Sequence, residues 1–208
     1  MKEIRVRLTF TEEILGTASG NPDIHGEYIA SKAPNPKSMT EEIEAIGEEA
    51  VKEKGMTVFP RNKEGQPILW DYQVKGFFKD TCSSLRKVPG SQSGKIKAFK
   101  KEIDGLIFIK ERRIPYQFDG KTGECQRPLR ASTAQGERIS IANSETILAG
   151  AFVEFTVLML TDTHEKAVRE WLNYGMLRGF GQWRNSGKGR FTWEEIKPEP
   201  DKKTAKAE

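Results

Sequence analysis

Two cysteines and two histidines in 208 residues leave little material for a metal centre or a disulfide framework. Cys82 and Cys125 form no Cys-x-x-Cys pair, and His25 and His164 stand at no spacing that would complete a zinc site. Both thiols are expected to be free, in a reducing compartment. Long apolar runs are missing too, and Met1-Lys2-Glu3-Ile4-Arg5 enters an alternating pattern without a signal-peptide core, so a cytoplasmic protein is expected. There is no nucleophile elbow and no Walker loop. Gly179-Phe180-Gly181 lacks the strand before and helix after that a dinucleotide loop requires. No cofactor and no metal are expected.

One further absence is local: no acid lies between Trp171 and Trp193. Inside that gap, Leu177 to Phe191 carries two Gly-x-Gly pairs, the cations Arg178, Arg184, Lys188 and Arg190, and the aromatics Phe180, Trp183 and Phe191. Glycine lets the main chain take positive φ and approach a ligand closely. Successive N–H groups in such a turn can form an anion-binding concavity. The stretch therefore suits phosphate, with the cations on its oxygens and Phe180 or Trp183 stacking on a base. A glycine-rich hairpin turn with a solvated basic surface is the competing reading.

What is present elsewhere describes a polar, foldable chain, 36% hydrophobic and 31% charged, with a net charge of +4. That charge permits nucleic acid without demanding it. Its distribution says more. Arg86, Lys87, Lys95, Lys97, Lys100 and Lys101 occur with no acid among them, while Ser38 to Gly55 is rich in glutamate, so one surface should be basic and another acidic.

Hydrophobic periodicity gives the frame. Ile4, Val6, Leu8 and Phe10 alternate with Arg5, Arg7 and Thr9, the pattern of a half-buried strand. Helices are expected from Pro22 to about Ser31 and from Ser38 to Gly55. Asp71 is a plausible N-cap for a helix reaching Arg86, with Val74, Phe77, Phe78, Thr81 and Leu85 on one face and Lys75, Lys79 and Arg86 on another. That helix is read equally as a simple amphipathic one or as one that touches a polyanion. Val88 to Gly94 reads as a flexible connector, Lys95 to Lys101 as a basic helical turn and Leu106–Ile109 as a core strand. Arg112 to Gly150 reads as a projecting β-ribbon whose Arg127-Pro128-Leu129-Arg130 is its best phosphate-contacting piece. Phe152–Leu160 is nearly continuous in apolar residues, as a central strand should be. A helix capped near Asp162 and ending at Gly175, then a strand at Phe191–Ile196, complete the order.

Stripped of insertions the order is strand, helix, strand, strand, helix, strand: an α+β, ferredoxin-like (RRM-like) βαββαβ core. It carries a helical insertion after the first strand and an arginine-rich β-ribbon insertion. A single domain is expected over residues 1–196, with insertions at about 12–66 and 112–149 and a disordered tail over 197–208.

Two stretches resemble the RAMP superfamily, the repeat-associated RNA-binding proteins of CRISPR systems, and especially their backbone subunits. One is Pro67-Ile68-Leu69-Trp70-Asp71-Tyr72-Gln73-Val74-Lys75-Gly76-Phe77-Phe78-Lys79, similar to the family's strand-turn-helix with a Lys-Gly pair. The other is the glycine-rich loop after the last helix. Trp70-Asp71-Tyr72 stands where the family carries a serine-rich turn. The chain as a whole also looks like proteins carried by prophages. The resemblance implies an RNA groove formed by Lys75, Lys79, Arg127 and Arg130 of the ribbon, and Arg178, Gly179, Gly181, Trp183, Arg184, Gly187, Lys188 and Arg190 of the loop. It also implies assembly along RNA or within a protein complex.

Non-enzymatic nucleic-acid binding is the leading expectation, with RNA favoured over DNA. The alternatives are a phage-encoded interaction protein that mimics or inhibits a host CRISPR-type complex, and a metal-independent endoribonuclease using His25 as general base on a ribose 2′-OH. No local motif ties His25 to that role, and a lone histidine in a polar segment is more often a surface residue.

Overall fold

The computed structural model describes residues 1–20, 55–133 and 136–197. The helices expected at 22–31 and 38–55, and with them His25, lie outside or almost wholly outside the described residues.

The first strand, β1 (Lys2–Phe10), buries Ile4, Val6, Leu8 and Phe10 as its alternation requires. It pairs antiparallel with β10 (Phe152–Met159) on one side and β11 (Phe191–Glu195) on the other, and β10 pairs antiparallel with β6 (Ile107–Ile109). The sheet order is β11-β1-β10-β6. Among the described residues three α-helices accompany the sheets: α1 (Asp71–Leu85), α2 (Phe99–Leu106) and α3 (Asp162–Arg178). Val74, Phe77 and Phe78 of α1 and Ala167, Val168, Trp171 and Leu172 of α3 meet the inner residues of β1 and β10 in one core. The Phe78 and Trp171 rings lie 5.3 Å apart, and the Trp171 indole N–H, buried with the ring, donates to Ser93 Oγ at 2.9 Å.

A second sheet gathers β2 (Ile14–Leu15), β3 (Ala18–Ser19), β4 (Thr57–Val58), β8 (Gly123–Thr133) and β9 (Gly136–Ile147). The ribbon is there as an antiparallel pair, β8 with β9, but it does not simply project. The last residues of β9 pair with β2 and β4, so the strands at 14–15 and 57–58 are joined to the ribbon in one sheet. A short pair, β5 (Ile68–Trp70) with β7 (Arg113–Pro115), completes the described strands.

Several local expectations are corrected. Trp70, not Asp71, is the N-cap of α1, and its N–H is held by Gln73 Oε1 at 2.8 Å. α3 does not stop at Gly175. That glycine is buried inside the helix, where a Cβ would stand 2.5 Å from ring carbons of both Phe77 and Phe191, so it serves close packing and not termination. Thr161, ahead of Asp162, caps the same helix through the His164 N–H. Val88 to Gly94 is not a loose connector: the Glu170 carboxylate accepts from Gln92 N, Ser93 N and Ser93 Oγ at 2.7, 3.0 and 2.6 Å. The basic turn at Lys95–Lys101 resolves into a 3₁₀ turn over Ser93–Lys95 and the start of α2 at Phe99.

Candidate nucleic-acid interface

Leu177 to Phe191 is a strap packed against the body of the protein. Phe180 turns inward, 5% exposed, with its ring 5.2 Å from Phe77. It is therefore a core residue and not, as its sequence context suggests, a ring that stacks on a base. The strap crosses itself where Phe180 N donates to Gly189 O at 2.8 Å. A Cβ at Gly189 would stand 1.9 Å from the Phe180 carbonyl oxygen, and one at Gly179 2.5 Å from that of Lys188. These two glycines are demanded by backbone crossing backbone. Gly179 N, Gly187 N and Gly189 N donate to carbonyls of Gly175, Arg184 and Glu13, so these amides are engaged within the chain and do not make an open anion nest.

The side chains tell a different story. Trp183 is the one described non-glycine residue with positive φ (52°), and its indole is 40% exposed. Holding a bulky residue there is a strained choice. Arg127, carried in from β8, lies 5.3 Å from the ring centroid, and Lys188 lies 5.9 Å from it. Arg127 Nη2 also donates to Gln182 Oε1 at 2.9 Å, while its Nη1 is covered with no acceptor among the described residues. Beside Trp183 is a cleft of about 320 Å³ lined by Arg178, Gly181, Gln182, Trp183, Arg184 and Asn185. The ribbon and the loop thus meet at one indole.

Most of the gathered cations have an internal partner. Arg184 Nη1 and Arg178 Nε reach Asp80 Oδ2 of α1 at 2.5 and 3.7 Å. Lys188 pairs with Glu13, whose carboxyl its hydrogen bond holds below the usual carboxylate range. Lys79 pairs with Asp104 at 2.6 Å. Lys75 donates to the Asp104 carbonyl at 3.1 Å, lies 4.8 Å from the Phe108 ring centroid, and has its pKa pushed down by burial. Arg190 is exposed and makes no ion pair with a described residue. Arg130 lies in β8 opposite Ile139.

Lys75 and Lys79 do not face the loop across a groove. They lean on α2, whereas Gln73, Phe77 and Asp80 of the same helix contact Thr17, Phe180 and Arg184. At 100° per residue these are opposite flanks of α1. Between them Gly76 is exposed, and a Cβ there would meet nothing within 4 Å. The outer face of the first sheet is self-neutralised as well. Arg7 and Arg5 reach the two oxygens of Glu154 at 2.6 and 2.8 Å, and Arg7 also reaches Glu194. His164 is buried between Thr161 and Glu102. Sequence reading missed the counter-ions Glu13, Asp80 and Asp104. Each is an ordinary acid in its own stretch and becomes a partner only through long-range packing.

The described chain is an α+β protein of three helices and several sheets. No described helix is long and apolar enough to cross a membrane. No family model and no curated protein matches the chain. Among solved structures it is similar to a chain of the type III-B Cmr-beta complex bound to cognate target RNA, at 14% identity and a TM-score of 0.49. That match covers 95% of this chain and 60% of the other. It is also similar to oligomeric Cmr4 from Pyrococcus furiosus, at 11% identity over 95% of this chain and 100% of that one, with a TM-score of 0.46. A third similar chain belongs to a type IV-B CRISPR complex, at 12% identity, 98% and 96% coverage, and a TM-score of 0.46.

Proposed function

We propose that this chain binds nucleic acid, with single-stranded RNA the expected ligand, and that Trp183 is the centre of the contact. The observation that carries the reading is the meeting, at one half-exposed and conformationally strained indole, of Arg127 from the ribbon with Lys188 and the arginine-lined cleft of the loop. An aromatic face among cations takes a base by stacking and its phosphates by charge, whatever the base sequence. Lys75, Lys79, Arg130, Gly181 and Arg190 stand as further contacts, and the Lys75-Gly76 pair in α1, with its RAMP resemblance, favours RNA. A single domain over 1–196 on a ferredoxin-like core belongs to the same reading. Its support is the order β11-β1-β10-β6 with every neighbouring pair antiparallel.

Fluorescence anisotropy with a short single-stranded RNA over a salt series tests this. Affinity falls steeply as salt rises, because neutralised phosphates release counter-ions. The double variant Arg127→Ala, Trp183→Ala binds at least about tenfold more weakly. Salt-independent binding, or an unchanged double variant, overturns the reading.

One observation favours a second reading. Because Arg178, Arg184, Lys79 and Lys188 are all paired internally, the surface also fits a protein that meets another protein, as a phage-encoded mimic or inhibitor of a host complex. That reading predicts one specific partner in pull-downs and little affinity for random RNA.

A further inference from the structure

At the start of α1 the chain builds a second aromatic and cationic cluster away from the glycine loop. The Trp70 and Tyr72 rings are stacked, 6.1 Å between centroids and 15° between planes. Arg112 lies 5.5 Å from the Trp70 centroid and 5.9 Å from that of Tyr72, and Arg113 lies 5.5 Å from Trp70 on its own account. The β5–β7 register explains the gathering: Trp70 and Arg113 are direct cross-strand partners, which brings residues 43 positions apart side by side. Arg112 is tethered to Asp71 at 2.5 Å, so that acid is neutralised and the guanidinium is held at the rings. Arg113 is exposed and makes no ion pair with a described residue. Tyr72 is 56% exposed, far more than its packing on Trp70 requires.

We propose that Tyr72, stacked on Trp70 and flanked by Arg112 and Arg113, is a platform for one nucleobase of a bound single strand, with Arg113 on the neighbouring phosphate. The proposal rests on the nucleic-acid reading above and extends it to a separate site. An exposed flat ring with a cation beside it that makes no ion pair with a described residue matches a nucleotide, base on ring and phosphate on guanidinium. Placement favours the same occupant. Gln73 Nε2 donates to Thr17 Oγ1 at 2.8 Å, and Gln182 Nε2 donates to the Gly16 carbonyl at 2.7 Å. Adjacent residues Gly16 and Thr17 therefore tie the platform's helix to the loop that carries Trp183.

The test uses the full chain with a short single-stranded RNA and with an abasic sugar–phosphate strand of equal length, titrated by anisotropy. Tyr72→Ala, at an exposed position, weakens binding of the RNA about tenfold, whereas Tyr72→Phe keeps it. Arg113→Ala weakens both strands, and the abasic strand binds Tyr72→Ala as it binds the unsubstituted protein. Unchanged RNA affinity in Tyr72→Ala, or an equal loss for the abasic strand, overturns the platform. If RNA binds and depends on Trp183 but not on Tyr72, the platform alone falls. If the unsubstituted protein binds no strand, the nucleic-acid reading falls and takes the platform with it. Capture of a protein partner through Tyr72 in place of RNA also overturns it.

Discussion

The Lys188 ammonium reaches back to the Glu13 carboxylate across nearly the whole length of the chain, and each group shifts the other's protonation. The hydrogen bond from Lys188 lowers the Glu13 pKa, while Glu13 raises that of Lys188. For Glu13 the contribution to stability is present above the unfolded value of about 4.3 and is lost as pH falls through the lower folded value. For Lys188 it is complete below about 10.4 and is lost as pH rises through the raised folded value. Urea denaturation should show Glu13→Gln losing about 1–2 kcal/mol at neutral pH and much less near pH 3. Equal losses at both pH values would count against the pair.

Trp183 sits at positive φ, where glycine has no steric penalty. Trp183→Gly and Trp183→Ala both remove the indole, but only the first removes the backbone strain. The glycine variant is expected to be more stable than the alanine variant by about 1 kcal/mol in the same denaturation experiment. An alanine variant of equal or greater stability would mean that no strain is stored there.

Two other glycines should respond in opposite directions to alanine. Gly189→Ala drives a methyl group into the Phe180 carbonyl and should cost about 3 kcal/mol or more. Gly76→Ala places a methyl in open space at an exposed position of α1 and should add about 0.5–1 kcal/mol. Thermal unfolding of the two variants separates a glycine that packing demands from one that it does not.

Asp80 is shared by Arg178 and Arg184. On the proposed reading, Asp80→Asn frees both cations for phosphate. RNA affinity should rise a few-fold while stability falls by about 0.5–1 kcal/mol. Weaker binding in this variant would show that Asp80 positions the arginines and does not compete for them.

The core strands and two main helices were legible because their signal is local. Ile4, Val6, Leu8 and Phe10 carry the period of two in one short stretch, and Val74, Phe77, Phe78 and Thr81 carry the helical period. The ends were less so. Gly175 looked like a stop and is a packing residue, since nothing near it reveals that Phe77 and Phe191 crowd its α-carbon. The stretch from Val88 to Gly94 has the composition of a loose linker, and only Glu170 and Trp171, nearly 80 positions later, make it fixed. For the candidate site, composition identified Trp183 and Lys188, and the ribbon's arginines suggested Arg127, but that these three meet is a product of folding. The same distance hid the counter-ions, and it hid the Trp70–Arg113 pairing, which exists only through strand register.

The position of β1 has a kinetic consequence. Both its neighbours, β10 and β11, come from residues 152–195, so β1 waits for partners that are made long after it. During synthesis its two edges stay open until those late segments emerge, and loop-closure entropy is lost before the long-range contacts can form. The fixing of residues 11–13 by Arg190 and Gly189 falls at the same late moment. The strap that carries Trp183 and the sheet that carries β1 therefore close together, and the loop takes its shape only when the fold is complete.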